Sequence, residues 1–362
     1  MKALILAGGF GTRLRPLSCT RPKILLPIVN KPLLQWTFER LAKNNVREAR
    51  LAVNYQTEVA IKQHRIPRCG LHVTYSRDPL RNPLGTGGPI KKAEKFIEHD
   101  APFLVLNGDV FADVNYTEIL KIHKEKDAVA TVALHRVEDP SRYGVAELTE
   151  DNRIKRFIEK PSMGTAPTNL INAGAYVLSQ KIFNYIPEGR AVSLEYEVFP
   201  KLAEEGGLYG YVFDGLWMDI GKPEDYLKIS ETLIASFVAQ QKSKIGNETE
   251  IKKPAAFDRG VSVGEKSVIG PNVVLGRNVT AGNNIRIQNS VILRETVISD
   301  FVSMDGAIIG EGVFIGKRVK IGKGCILGDH VKIKDDISLA ERVSICPAKE
   351  ISETVLTPKF IT

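Results

Sequence analysis

Near the start of the chain stand Gly8, Gly9, Gly11, Thr12, Arg13 and Lys23, residue types that hold phosphate. Glycines let backbone N–H groups approach an anion closely, and a guanidinium and an ammonium nearby supply charge. Two other glycine-loop chemistries do not fit. A dinucleotide fingerprint needs a glycine three residues after Gly11, where Leu14 stands, and a Walker loop needs Gly-Lys followed by Ser or Thr, which the chain lacks. A tight turn whose glycines serve packing alone leaves the clustering of Thr12, Arg13 and Lys23 unexplained. Two carboxylates are the next candidates. Asp109 follows an apolar strand in Asn107-Gly108-Asp109, where a hard oxygen suits Mg²⁺ beside a triphosphate, although a turn or N-cap aspartate is an equal reading. Asp219 lies between apolar residues in Trp217-Met218-Asp219-Ile220, where a carboxylate is costly unless paired or metal-bound.

These residues need a scaffold. Ala3 to Ala7 is a continuous apolar run that reads as a strand buried on both faces, ending at Leu6 and Ala7 where the glycines begin. Leu33 to Lys43 has helical spacing and Arg50 to Tyr55 returns to a strand, which makes a βαβ unit. A strand at Leu71 to Ser76 leads into the glycine-dense turn ending Leu84-Gly85-Thr86-Gly87-Gly88, and a helix is expected over Ile90 to Phe96. Strand and helix alternate, so an open, mostly parallel, Rossmann-like α/β sheet is expected, with ligands beyond the carboxyl ends of its strands. Further strands are expected at Ala128 to Leu134, Arg153 to Ile158 and Ala175 to Leu178, the last opened by Asn172-Ala173-Gly174. Glu159 and Lys160 adjoin at a strand end and point to opposite faces unless the turn at Pro161 rotates them together. Ser193 reads as the N-cap of a short helix with Glu195 and Glu197 in its first turn. The last helix, Pro223 to Gln241, carries Tyr226, Ile229, Leu233, Ile234 and Phe237 on one face.

The sequence Gly-Gly-Phe-Gly-Thr-Arg-Leu-Arg-Pro-Leu, with Arg21-Pro22-Lys23 and Asn30-Lys31-Pro32 after it, resembles the signature of the sugar-1-phosphate nucleotidylyltransferases. Later segments narrow this to the GDP-mannose pyrophosphorylase branch of that family. One departure is Ile24, where many members carry a second proline. The resemblance implies a nucleotide site at Leu6, Ala7, Gly8, Gly9, Gly11, Thr12, Arg13, Lys23, Gly85, Thr86, Asn107, Gly108 and Asp109. It implies a sugar-phosphate site at Gly144, Glu159, Lys160, Asn172, Gly174 and Asp219. Arg13, Lys23, Asp109, Lys160 and Asp219 would carry catalysis, with Mg²⁺ on Asp109 and Asp219 as cofactor. The implied reaction joins GTP and mannose 1-phosphate. Glucose 1-phosphate with another triphosphate, or a regulatory subunit without activity, are the alternatives.

After a polar stretch at residues 243–258, read as a linker, Val263-Gly264, Ile269-Gly270, Leu275-Gly276 and Ala281-Gly282 recur every six residues. Weaker steps follow at Ile287 and Leu293, and the period resumes at Ile309, Ile315, Ile321 and Leu327. A hexapeptide period means a parallel β-helix, here expected to be left-handed with about four coils, its glycines at the corners and the tail from Glu341 packed over the last coil. Its one histidine, His330, reads as a surface residue rather than an acyltransferase base. The expected division is a catalytic domain at 1–242, the linker, and the β-helix with its tail at 259–362.

Composition narrows the class. The chain has 362 residues, 43% apolar and 25% charged, with a net charge of +8, which suits a soluble two-domain protein. Basic residues never run beyond two in succession, so neither a nucleic-acid arm nor a membrane patch is expected. Four scattered cysteines suit a reducing compartment, and the apolar run before Gly8 is too short for a signal peptide, so a cytoplasmic location is expected. The β-helix supplies no reacting group and is expected to mediate homo-oligomer assembly or regulation.

Overall fold

The computed structural model describes residues 1–9, 11–79, 83–97, 101–236 and 243–362. The chain divides into two compact units, Met1–Gly9 with Leu34–Asp219, and Phe10–Leu33 with Ile220–Thr362.

The first unit is built on a nine-stranded sheet. Its strands are β1 (Lys2–Leu6), β2 (Glu48–Val53), β3 (His72–Arg77), β4 (Phe103–Asn107), β6 (Ala130–Arg136), β7 (Gly144–Leu148), β8 (Ile154–Glu159), β9 (Leu170–Leu178) and β10 (Leu208–Val212). Two further short strands, β5 (Val110–Ala112) and β11 (Trp217–Asp219), pair with each other outside it. β1 sits between β4 and β2 and pairs parallel with both, and β2 pairs parallel with β3. Ala3, Leu4 and Ile5 are fully buried, as a continuous apolar run requires in a parallel sheet covered on both faces. Beyond β4 the sheet changes character, because β9 runs antiparallel to β4, β6 and β7 alike. The sheet is therefore mixed rather than mostly parallel. Strand β9 starts at Leu170, and Asn172-Ala173-Gly174 lies inside it at an irregularity of register, not before it. Gly174 takes a φ of 71° there.

Helices Leu33–Lys43, Tyr55–His64 and Tyr116–Glu125 connect these strands. The expected helix after the second glycine turn begins earlier, at Gly87, and ends at Lys92. Ser193 does cap a short helical turn, Leu194–Val198. Its Oγ accepts from the Tyr196 amide at 3.2 Å, while Glu197 reaches back to the Ser193 amide at 2.9 Å.

In the second unit, Lys244–Ile345 and the tail build a parallel β-helix of three sheets holding seven, six and seven strands. Side chains stack inward in columns, such as Val263, Ala281, Ile298, Ile315, Ile333 and Ile351, all buried. The stretch read as a linker is no linker. Lys244–Ile245, Glu250–Ile251 and Ala255–Phe257 are the first three strands, pairing with strands at Ser262, Val268 and Val273. Polar outward residues and Pro254 hide a six-residue step that already runs Ile245, Ile251, Phe257, Val263. There are accordingly more than six coils rather than four, and Phe360–Ile361 continues a sheet by pairing with Ser344–Ile345 instead of lying over it. The repeat shortens to five residues at Ile287→Ile292 and at Met304→Ile309, so Ile292, not Leu293, occupies the inward column.

The glycines after the inward residues do not turn the corners. Left-handed backbone falls two residues later, at Lys266, Asn272, Asn278, Asn284, Arg318 and His330, and at Asp336 and Arg342 where no such glycine precedes, although Gly270 itself takes a φ of 104°. A glycine such as Gly264 is required by stacking, since a Cβ there would meet the Gly282 carbonyl oxygen at 2.6 Å. His330 is an exposed corner residue.

Helix Pro223–Ser236 also belongs to this unit and buries Tyr226, Ile229, Leu233 and Ile234; Phe237 and the domain boundary at 242 lie outside the described residues. Among the described residues no helix is long and apolar enough to cross a membrane, and all four cysteines are free.

Buried His123, on helix Tyr116–Glu125, faces Thr131 Oγ1 at 3.0 Å, and burial lowers its pKa from 6.5 to about 4. The unfolded state binds the proton more tightly, so the contribution of His123 is present above pH 6.5 and is lost as pH falls toward 4. Wild-type stability should drop across that window by on the order of 3 kcal/mol from this residue. Denaturant titrations of His123→Gln should show a flatter limb there; an unchanged limb would assign the loss to other groups.

Candidate active site

In the first unit the chain leaves β1 with the Ala7 amide still bonded to the Ala52 carbonyl at 2.8 Å, and Gly8 follows. Asn54 fixes this exit. Its Nδ2 donates to the Gly8 carbonyl at 3.3 Å, while its Oδ1 caps helix Tyr55–His64 by accepting from Thr57 N at 2.8 Å. On the other side, the Gly108 amide donates to the Leu6 carbonyl at 2.8 Å, which brings the Asn107-Gly108-Asp109 turn to the same strand end. A Cβ on Gly8 would lie 3.4 Å from Asp78 Oδ2. Asp78 Oδ1 is buried without a hydrogen-bond partner among the described residues, and Lys92 Nζ lies 3.9 Å from it. Burial pushes this carboxyl up, opposed by Lys92. The sequence offered no signal for Asp78 beyond its place after a strand.

Strands β5 and β11 pair antiparallel with Asp219 opposite Val110, so Asp219 stands beside the position that follows Asp109. Both carboxylates are half-buried. Trp217, two residues before Asp219, anchors that ladder. Its Nε1 donates to the Ala173 carbonyl at 3.1 Å and its ring meets Tyr143 edge-on at 5.1 Å. The pair of short strands thus links the carboxylates to two predicted sugar-contacting segments.

Those segments are built tightly. Glu159 pairs in register with Gly144, and a Cβ on Gly144 would sit 2.6 Å from Glu159 Oε2. Lys160 takes a φ of 46°, so the turn rotates it toward Glu159 and the two form an ion pair at 3.1 Å. Glu159 is largely buried while Lys160 stays 58% exposed. Burial raises the Glu159 pKa, and the Lys160 ammonium opposes that rise. Asn172 Oδ1 accepts from the Gly174 amide at 2.9 Å, and its Nδ2 donates to Tyr176 Oη at 3.0 Å. A Cβ on Gly174 would meet Asn107 Nδ2 at 2.9 Å, which ties the asparagine expected on the nucleotide side to the glycine expected on the sugar side.

The second glycine turn is locked by a segment the sequence did not connect to it. Thr86 Oγ1 donates to Glu195 Oε2 at 2.6 Å and accepts from the Leu194 amide at 2.8 Å. Leu84 and Gly87 exchange backbone bonds with Val192. Glu195 is therefore a structural residue of the site that sequence reading placed only in a helix turn.

In the second unit, Gly11 has a φ of 61° and is held by Ser18 Oγ, which donates to its carbonyl at 2.7 Å. A Cβ there would lie 3.3 Å from Lys23 Cβ. Thr12 and Arg13 are exposed on the 3₁₀ turn Thr12–Leu14, and Lys23 is buried with Ile24 and Leu25. The structure thus groups Gly11 with Lys23 in this unit. In the other it groups the strand-end glycines, Asp109 with Asp219, and Gly144 with Glu159 and Lys160.

Residues 2–236 match the nucleotidyl transferase family. The chain belongs to that family. Residues 251–361 match the GMPPB C-terminal domain. Mannose-1-phosphate guanylyltransferase catalytic subunit beta of Danio rerio is 43% identical over 229 residues, 63% of this chain and 63% of that protein, a little under two thirds of its length. Mannose-1-phosphate guanylyltransferase 1 of Arabidopsis thaliana is 38% identical over 274 residues, 75% of each chain. Among solved structures, HddC from Yersinia pseudotuberculosis superposes with a TM-score of 0.55 at 33% identity, covering 64% of this chain and 99% of that one. HddC has also been solved complexed with GMP-PN, with a TM-score of 0.54, 33% identity and the same coverage.

Gly85, at a φ of 70°, would place a Cβ 2.3 Å from the Val192 carbonyl oxygen. Gly85→Ala should therefore lower stability by about 1–3 kcal/mol through strain and overpacking. Its chemical-denaturation midpoint reads this directly, and an unshifted midpoint would mean that the Val192 segment moves freely.

Proposed function

We propose that the chain transfers a guanylyl group from GTP to mannose 1-phosphate. The sugar phosphate attacks the α-phosphorus, pyrophosphate leaves, and GDP-mannose forms. The observation that carries the reading is the pairing of the Asp109 and Asp219 segments beside the glycine strand end in a chain whose relatives carry that name. The nucleophile needs no dedicated base, because a phosphate monoester with a second pKa near about 6 is already largely ionised at neutral pH. What the chain supplies is orientation and neutralisation of crowded negative charge. Arg13 would face the departing pyrophosphate, Lys23 would hold the triphosphate, and Lys160 would hold the sugar phosphate. Glu159 accepts sugar hydroxyls and Asn172, Gly174 and Gly144 shape the space for the ring.

The donor set fits Mg²⁺, which is ordinarily held by one or two carboxylates with phosphates and water completing its shell. Asp109 and Asp219 would hold it, and when bound it would offset phosphate charge. Asp78 fits the choice of base. Guanine alone among the common bases presents two adjacent donors, N1–H and N2–H₂, and a carboxylate beside Gly8 with a buried oxygen that is unpartnered among the described residues is an acceptor for such an edge. The chain would work in the cytoplasm, and as a homo-oligomer; Val297, Phe301 and Phe314 left exposed on the β-helix support the assembly. The division into catalytic and β-helix parts is kept, with the boundary moved ahead of Lys244.

The direct test is pyrophosphate release with Mg²⁺ across four nucleoside triphosphates and mannose, glucose and N-acetylglucosamine 1-phosphates. Turnover concentrated on GTP with mannose 1-phosphate is expected, and another preferred pair would overturn the specificity. In the same assay Asp109→Asn and Asp219→Asn should each lose at least about 100-fold in kcat with intact folding. Near-normal turnover in either would remove that residue from the metal site.

Inosine triphosphate, which lacks the 2-amino group, reports on Asp78. The wild type should prefer GTP by about 10-fold or more in kcat/KM, and Asp78→Asn should bring the two substrates within a few-fold. A preference that survives the substitution would exclude Asp78 from base recognition.

A further inference from the structure

The segment carrying Arg13 and Lys23 belongs by its contacts to the β-helix unit. It lies along one corner line of successive coils. Asn30 Nδ2 donates to the Leu275 carbonyl at 3.0 Å. Further along the line, Arg21 Nη2 pairs with Glu311 Oε2 at 3.0 Å and with Asp329 Oδ2 at 2.5 Å, and Thr20 Oγ1 donates to the same Asp329 oxygen at 2.5 Å. Helix Pro223–Ser236 adds a third hold, with Tyr226 Oη donating to the Pro27 carbonyl.

The two acids are set for this contact. They sit on consecutive coils, which stack about 4.8 Å apart, so two carboxylates there repel unless cations lie between them. Asp329 Oδ1 is used by the Glu311 amide at 2.8 Å, which aims Oδ2 at the loop, and Arg294 from the preceding coil takes the other Glu311 oxygen at 2.6 Å. Arg21 is 9% exposed, Asp329 5% and Glu311 13%, so the charges are shielded from water and their attraction is worth more than that of a surface pair. Removing one partner would leave a charge buried and uncompensated.

We infer that Arg21, held by Asp329 and Glu311, is the positioning residue that fixes the phosphate-binding loop for catalysis, so that the β-helix sets the geometry of Lys23 and Gly11. This rests on the proposed nucleotidylyl transfer for its kinetic consequence, but not for the tether itself. Lys23 is two residues from Arg21, opens the 3₁₀ turn Lys23–Leu25 and has its Cβ beside Gly11, so slack at Arg21 passes through Pro22 alone to the buried Lys23. Arg21 would contact no reacting atom. Its effect is transmitted through Lys23.

The test uses the full-length protein with Arg21→Gln, Asp329→Asn, their double variant, Arg21→Lys and Thr20→Val. Amide hydrogen exchange over residues 11–25 is followed beside pyrophosphate release. Arg21→Gln and Asp329→Asn should each speed exchange in that segment, with the remaining coils unchanged, and lower kcat about 10- to 100-fold. The double variant should be no slower than the worse single one, and Arg21→Lys should recover much of the rate. Thr20→Val, which removes a hydroxyl and no charge, should give a several-fold loss with an unshifted melting temperature, so the idea stays testable if a charge variant fails to fold. Wild-type exchange and wild-type kcat in Arg21→Gln, or additive losses in the double variant, would overturn the inference. A wild type silent with every substrate pair would instead fail the proposed function, while the exchange data would still judge the tether.

Discussion

The antiparallel contact between Val110–Ala112 and Trp217–Asp219 is the interaction on which the candidate site depends. It joins two carboxylates from distant parts of the chain without burying either in the main sheet, where a pair of like charges would need several kcal/mol of compensation. Three residue pairs are few for a ladder, and such a short pair has little stability of its own. Trp217 stabilises it from outside, through its bond to the Ala173 carbonyl and its contact with Tyr143. The aromatic ring therefore connects the strand that carries Asp219 to both the Ala173 and the Tyr143 segments.

Close approach of backbone is the second theme of this unit. Gly144 under Glu159, Gly174 under Asn107 and Gly85 under Val192 each leave less room than a methyl group occupies. Gly144 and Gly174 bring the polar side chains of Glu159 and Asn107 down onto strands, where their neighbours fix their direction. Glu159 illustrates the consequence. Burial raises its pKa, yet Lys160 sits at 3.1 Å because a left-handed residue turns the chain back on itself, so the carboxylate is held ready by the cation that would also meet a phosphate.

Much of this was legible in the sequence where the signal is local. The buried β1 and the glycines after it, the capped turn at Ser193 and the six-residue period are contiguous patterns, and each maps to an element. The mixed sheet was not legible, because the antiparallel partners of β9 are chosen by packing between distant segments rather than by anything within Leu170–Leu178. Helix Tyr55–His64 buries Thr57 and Glu58 beside Ile61, which blurs the apolar period that would have announced it. The first coil was missed because its outward residues are charged and Pro254 reads as a breaker, although the inward column was already in step. Asp78 and Glu195 were invisible as site residues for a different reason: their roles come from what the fold brings near them, Gly8 in one case and Thr86 in the other.

The β-helix is expected to offer no reacting group, and its sequence points to assembly or regulation. Its contacts with Thr20, Arg21 and Asn30 give it a second physical role. A loop that presents an arginine and a lysine to phosphates must hold flexible side chains and backbone in one geometry, at about 1–2 kcal/mol per ordered residue. A long loop pinned only at its ends would meet that cost whenever substrate binds. A parallel β-helix is well suited to meet it during folding instead, because hydrogen bonds from coil to coil make a rigid rail with a fixed spacing. Acids stacked on that rail at Glu311 and Asp329 then select one register for Arg21, since a slip by one coil would leave a carboxylate buried without its cation. Rigidity supplied by a domain with no proposed reacting group would thus be converted into placement of Arg13 and Lys23.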